Sequence, residues 1–286
     1  MFEPTDAKWS DLVPLPQDDG PNPVVPIAYT REFTQLHDYF RALMKRNEKS
    51  ERALELTSFV LAQNPANYTA WHYRRQCLKA LNSDLLVELS WCAELAVESP
   101  KNYQLWHHRR EIVTLLDKPL GELEHVALVL EREGDAKNYH AWSHRQWVLL
   151  TFNNWENELK YVDKLIADDV RNNSGWNHRH FVISHTSGFT KPVLAAELEY
   201  CKAQISRAVN NASPWNYLIG LLGQPEFALG ELEAFAVQVS QNNPGCYLSE
   251  LCLLELYAKQ GRGYCKELKC ASFEPCPTHP VPIMTY

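Results

Sequence analysis

Three cations stand at matching points of the chain, each directly ahead of an asparagine: Lys101 before Asn102, Lys137 before Asn138 and Arg171 before Asn172. Asparagine ahead of a helical stretch is a good N-cap, because its side-chain oxygen accepts a hydrogen bond from an otherwise unpaired backbone amide. A helix start already carries unpaired N–H groups and a partial positive charge, so a cation added there builds a pocket suited to phosphate or carboxylate. The competing reading is an ordinary solvated lysine. Two residues past each Asn comes a polar column, Thr69, Gln104 and His140, whose side chains share one edge and could hydrogen-bond a ligand.

Metal chemistry is the other possibility that the residue types raise. Eight cysteines stand at 77, 92, 201, 246, 252, 265, 270 and 276, never as Cys-x-x-Cys, and they read as reduced thiols inside helical patterns. Cys265, Cys270, Cys276 and His279 are the nearest approach to a cluster, but their spacings fit no zinc pattern and prolines interrupt them. No metal site is expected in this chain.

The elements that must position the cations repeat. Asn67-Tyr68-Thr69-Ala70-Trp71-His72-Tyr73-Arg74-Arg75 recurs as Asn102-Tyr103-Gln104-Leu105-Trp106-His107-His108-Arg109-Arg110. It returns as Asn138-Tyr139-His140-Ala141-Trp142-Ser143-His144-Arg145-Gln146 and then, more loosely, around Trp176 and Trp215. The tryptophans lie 35, 36, 34 and 39 residues apart, the period of stacked helical hairpins. With 45% hydrophobic residues and only 11 glycines in 286, the chain is expected to be all-α, a crescent-shaped α-α superhelix of tetratricopeptide-like hairpins. Each unit reads as a Trp-motif helix, a turn and a second helix such as Asp84 to Val97 or Trp155 to Asp168. Trp and the first Arg of each motif are expected in the core between repeats, with Arg paired to a carboxylate or carbonyl of the next hairpin. The fifth repeat, with Leu218-Ile219 in place of the Arg pair, is the least regular.

Outside the repeats, residues 1–30 carry six prolines and read as an extended N-terminal arm, residues 31–260 as the solenoid, and 261–286 as an irregular, disordered tail. A formal charge of −7 gives no general attraction to nucleic acid or anionic lipid. There is no transmembrane-length apolar run and no secretory leader, so a cytoplasmic protein without membrane insertion is expected.

These repeats resemble the α subunits shared by protein farnesyltransferase and geranylgeranyltransferase type I. Asp19-Gly20-Pro21-Asn22-Pro23-Val24-Val25, Ser50-Glu51-Arg52-Ala53, Pro100-Lys101-Asn102-Tyr103-Gln104 and Asp169-Val170-Arg171-Asn172-Asn173-Ser174 extend the likeness from about Trp9 to Leu222. The resemblance implies a helical crescent wrapped around a β subunit. The implied reaction transfers a farnesyl or geranylgeranyl group from its diphosphate to the cysteine of a C-terminal CaaX motif, with zinc on the β subunit and magnesium beside the diphosphate. By the same resemblance Lys101, Tyr103, Tyr139 and His140 act at the diphosphate and the moving isoprenoid. Gln104, Tyr68 and Asn138 bind substrate, Gln104 at the peptide's terminal carboxylate. A non-catalytic tetratricopeptide-like scaffold and the α subunit of Rab geranylgeranyltransferase share the period and are the alternatives. Past Leu222 the likeness weakens; a helical pair from Glu226 to Lys259 is expected to precede the proline-rich tail.

Overall fold

The computed structural model describes residues 2–25, 27–132 and 136–262. Among them the regular structure is helical, thirteen α-helices and one 3-10 turn, with no strand. Their contacts form two compact units, divided between Asn154 and Trp155.

The first unit holds α1 (Arg31–Lys45), α2 (Glu51–Gln63), α3 (Tyr68–Leu81), α4 (Leu85–Glu98), α5 (Tyr103–Leu116), α6 (Glu122–Leu130) and α7 (Tyr139–Phe152). Thr30 caps α1, and Leu36, Phe40 and Leu43 recur on its buried stripe. Helices pack chiefly as α2 with α3, α4 with α5 and α6 with α7. The grouping read from the sequence is therefore shifted by one helix: each Trp-motif helix closes a hairpin with the helix before it. The links are short on both sides of a motif helix, Asn64 to Asn67 before α3 and Asn82 to Asp84 after it, so packing and not link length selects the preceding helix. The motif helices also lie side by side, α3 against α5 and α5 against α7.

The expectations for Trp and Arg hold. Trp71 and Trp106 are buried, and each indole N–H donates to the carbonyl six residues back, Pro65 and Pro100, at 2.8 Å. That carbonyl accepts a second bond from the next repeat's capping Asn, Asn102 to Pro65 at 2.6 Å and Asn138 to Pro100 at 2.8 Å. One amide side chain thus starts a helix with its oxygen and fixes the distance to the previous repeat with its nitrogen. Arg74 on α3 makes two bonds, 2.6 and 2.7 Å, to Glu88 on α4, the carboxylate of the next hairpin. Glu88 also accepts from His108 on α5 at 2.8 Å. The set repeats as Arg109, Glu122 and His144. The sequence reading did not include the histidine, which stands one residue before Arg and stacks near the Trp of the preceding repeat, ring centroids 4.7 Å apart for Trp71 and His108.

The described residues of the N-terminal segment contain no α-helix, yet they are anchored. Trp9 and Leu12 are buried in the core of the first unit, and Asp11 pairs with both Arg46 and Arg52.

The second unit holds α8 (Glu158–Asp168), α9 (Asn173–His185), α10 (Lys191–Arg207), α11 (Ala212–Leu221), α12 (Leu229–Asn242) and α13 (Tyr247–Lys259). The expected start of α8 at Trp155 is three residues early, because Asn157 adopts a left-handed φ of 63° ahead of the helix. His178 bonds Glu158, and Arg179 binds Glu197 through Nε and Nη2, each at 2.6 Å. In the fifth repeat Tyr217 takes the histidine's place, its hydroxyl donating to Glu197 at 2.6 Å, while Leu218 replaces Arg and is buried in an apolar cluster with Leu232 and Leu253. That repeat needs no acid because it offers no buried cation. The expected pair after Glu226 forms as α12 and α13, with Cys246 in the capping position. The expectation for the tail lies outside the described residues from 263 onward.

Candidate functional site

The Asn caps set where the candidate residues sit. Asn67, Asn102 and Asn138 each accept amide bonds from the first turn of α3, α5 and α7, which makes Tyr68, Tyr103 and Tyr139 the first residue of each helix. Spacing at i, i+3 and i+6 would set Tyr, Trp and Arg along one face of a helix. The structure separates them: Trp and Arg turn inward, whereas the tyrosines, in a first turn that no neighbour covers, stay 69, 58 and 76% exposed. Since α3, α5 and α7 are stacked, the three phenols form an aromatic edge at one end of the first unit.

Lys101 is exposed in the link before α5. A surface groove of about 550 Å³ runs along that link, lined by Pro65, Ala66, Glu98, Pro100, Lys101 and Tyr103. Its carbonyl-rich wall is already engaged, because Pro65 and Pro100 each accept two internal bonds, so the groove offers an incoming anion Lys101 and no competing free carbonyl at those two positions. Gln104 and His140, in the next helical positions, are half-buried. Tyr103 also lines a second, smaller cleft of about 150 Å³ together with His140, and His140 meets Tyr139 edge-on at 5.6 Å.

The structure therefore gathers Lys101 and Tyr103 at the groove, and Tyr103 and His140 at the cleft. Tyr68 lines neither; it stands at the start of α3, just past the groove's Pro65 and Ala66. Asn138 differs from the others: it is buried, its oxygen accepts from the His140 and Ala141 amides, and its nitrogen donates to Pro100. It positions Tyr139 and His140 and has no free polar atom for a substrate. Lys137 is exposed before α7, in the same relation to its helix as Lys101. Residues not singled out from sequence also reach the cleft: His107, Arg110 and Ser143. A signal was present, since the second Arg of the Arg-Arg pair occurs in the first two motifs and is replaced by Gln146 in the third.

Glu88, Cys92 and His108 bring three ligand-type atoms within 4.8 Å of one another, the one such group among the described residues. They do not fit a metal. Burial pushes the Cys92 thiol far up, where a metal needs thiolate, and Glu88 already receives Arg74 and His108. Burial alone would raise Glu88, but the bonds from His108 and Arg74 hold its carboxyl below the usual range. A cation would have to displace a guanidinium.

The protein prenyltransferase alpha subunit repeat model matches residues 50–81, 85–116, 120–152, 155–186 and 194–225, each falling on a helix pair that the structure packs together. The chain belongs to the protein prenyltransferase α-subunit family. Among relatives of this prenyltransferase subunit, the protein farnesyltransferase/geranylgeranyltransferase type-1 subunit alpha of Dictyostelium discoideum is 44% identical over 264 residues, 88% of this chain and 81% of that protein. The subunit of the same name from Arabidopsis thaliana is 49% identical over 216 residues, 75% of this chain and 66% of its own length. Among solved structures, Candida albicans protein geranylgeranyltransferase-I complexed with GGPP superposes with a TM-score of 0.80 at 33% identity, covering 90% of this chain and 89% of that one. No helix of the described residues is long and apolar enough to cross a membrane.

Proposed function

We propose that the chain is the α subunit of a heterodimeric CaaX protein prenyltransferase, a cytoplasmic enzyme active only with a β subunit, that transfers farnesyl or geranylgeranyl from its diphosphate to a C-terminal cysteine. The observation that carries the reading is the edge formed by the starts of α3, α5 and α7, where Lys101 and the exposed phenols stand in a chain whose repeats are those of prenyltransferase α subunits.

In this reaction a C–S bond forms between the cysteine thiolate and C1 of the isoprenoid, and the C1–O bond breaks with its electron pair leaving on the diphosphate. Negative charge grows on that leaving group, and a cation fixed beside it stabilises the transition state more than the ground state. Lys101 supplies this charge from the groove before α5. Tyr103, Tyr139 and His140 donate hydrogen bonds to the same anion and wall the path of the isoprenoid. Gln104 holds the peptide's terminal carboxylate, Tyr68 borders the pocket for the last CaaX residue, and Asn138 keeps the start of α7 in register. Zinc held by the β subunit would lower the acceptor thiol's pKa, and magnesium beside the diphosphate would balance its charge.

Co-expression with each candidate β subunit, followed by transfer of labelled isoprenoid diphosphate to a CaaX peptide, tests the reading. Turnover by the heterodimer and none by either chain alone is the expected outcome. A stable heterodimer without transfer to any CaaX peptide refutes it, and transfer that demands an escort protein assigns the chain to Rab substrates instead. Binding of peptides by this chain alone, with no β subunit and no transfer, is the signature of a plain scaffold.

A further inference from the structure

The cleft between α5 and α7 holds a cation that the fold does not require. Arg110 is half-buried there, its guanidinium carbon 4.9 Å from the Trp147 ring, and among the described residues no carboxylate comes within ion-pair distance of it. The neighbouring Arg109 is the stacking arginine and is fully paired with Glu122. Arg75, the equivalent of Arg110 one repeat earlier, reaches His108 Nδ1 at 3.5 Å; Arg110 has the Trp147 face alone. Burial holds the Arg110 guanidinium below its ordinary pKa, as expected of a cation partly removed from water, and the nearby Glu111 carboxylate only partly offsets this.

The second unit contains the same cleft with different chemistry. Between α9 and α11 a space of about 200 Å³ is lined at the corresponding positions by Asn177, His180, Ser213 and Asn216. His180 stands where Arg110 does, and Gln146 takes that position in the third motif. The cleft itself is therefore a product of repeat stacking; a cation fills this position on α3 and α5, as Arg75 and Arg110, and of the two only Arg110 makes no side-chain hydrogen bond among the described residues. Arg110 and His107 line the cleft from α5, and His140 and His144 from α7, so the cleft collects one fixed cation and three imidazoles.

Size selects the occupant. About 150 Å³ is smaller than the ~300 Å³ at which small-molecule sites begin, and takes the head of one side chain. A pocket with a half-buried arginine over an aromatic, next to an exposed aromatic edge, has the character of an interface hot spot, completed when a partner inserts a complementary group. We infer that the α5–α7 cleft is a docking socket for a carboxylate side chain of the β subunit, received by Arg110 and His107. The inference rests on the functional reading above, which supplies the β subunit.

The test uses the intact heterodimer. Arg110→Gln keeps the length of the side chain and removes its charge. Loss of one partner of a desolvated, hydrogen-bonded charge pair acts mainly on dissociation, so the variant heterodimer is expected to dissociate about 10- to 100-fold faster, with kcat per assembled heterodimer unchanged. His180→Gln, at the corresponding position of the other cleft, is expected to leave dissociation as in wild type. An unchanged dissociation rate for Arg110→Gln, with a wild-type melting temperature, overturns the inference. So does a raised KM for isoprenoid diphosphate or peptide at unchanged heterodimer stability, because the cleft would then serve the substrate. Failure of the wild-type chain to assemble with any β subunit refutes the functional reading itself, and the socket with it.

Discussion

Replacing Glu122 by Gln tests the polar lattice that holds the repeats together. Glu122 is completely buried and accepts three bonds, from Arg109 Nε at 2.8 Å, Arg109 Nη2 at 2.6 Å and His144 Nε2 at 2.7 Å. In the variant one carboxylate oxygen becomes an NH2 that faces a donor, and Arg109, only 4% exposed, keeps its charge without a counter-ion. Removing one partner of a buried ion pair costs about 3–5 kcal/mol, a large fraction of the ~5–15 kcal/mol by which a domain is stable. At ~2–4 °C per kcal/mol for a protein of this size, the melting temperature of the purified full chain should fall by about 6–20 °C, read by circular dichroism, with the free energy read by urea titration. The double variant Arg109→Met, Glu122→Leu removes both charges together and should recover part of the loss. Recovery is incomplete, because His144 Nε2 then has no acceptor and Leu89 O loses its bond from Arg109 at 3.0 Å. A loss below about 1 kcal/mol in Glu122→Gln, or a double variant as unstable as the two single losses added, would refute the claim that Arg and Glu act as one buried pair.

Lys101→Ala in an intact heterodimer should lower single-turnover transfer about 10²-fold with a smaller loss of isoprenoid diphosphate binding, and transfer at the wild-type rate removes Lys101 from the mechanism. Trp106→Ala, which empties a buried indole site and breaks the bond to Pro100, should cost about 3–5 kcal/mol in a urea titration; lost turnover at unchanged stability would make Trp106 a ligand contact. Asn102→Asp keeps the cap of α5 but gives up the donor to Pro65, so it should cost about 1 kcal/mol, whereas Asn102→Ala loses both and should cost about 2 kcal/mol. Stability should also fall with pH below about 6.5. His108 and His144 have folded-state pKa values lowered by burial, so the unfolded chain binds protons that the folded chain excludes, and folding weakens as pH drops. His125, lowered from 6.5 to about 4 by burial, contributes about 3 kcal/mol of that loss by pH 4, and the depressed carboxyls of Glu88 and Glu122 extend it to lower pH. A flat stability profile between pH 7 and pH 4.5 contradicts these assignments.

The repeat period, the buried tryptophans and the Asn caps could be read from the sequence because each is a local rule applied again and again. An Asn that starts a helix needs only its own first turn, and a Trp present in every unit has to lie where units meet. The partner of Arg74 could be named by type, a carboxylate of the next hairpin, for the same reason: a buried guanidinium must have one. The role of His108 and His144 depended on tertiary structure, since the carboxylates they share with Arg lie 20 and 22 residues away on another helix. The exposure of Tyr68, Tyr103 and Tyr139 likewise depended on what covers them: helical spacing allowed burial, and the absence of any described neighbour over the first turn left them exposed. Asn138 and Arg110 make the same point in opposite senses. Sequence placed Asn138 among binding residues, yet both ends of its amide are taken by the fold; it passed over Arg110, which the packing of α5 on α7 leaves half-buried with no ion pair among the described residues. Residue type and spacing determine what a side chain is able to do, but only the packed chain decides which of its polar atoms remain free to do it.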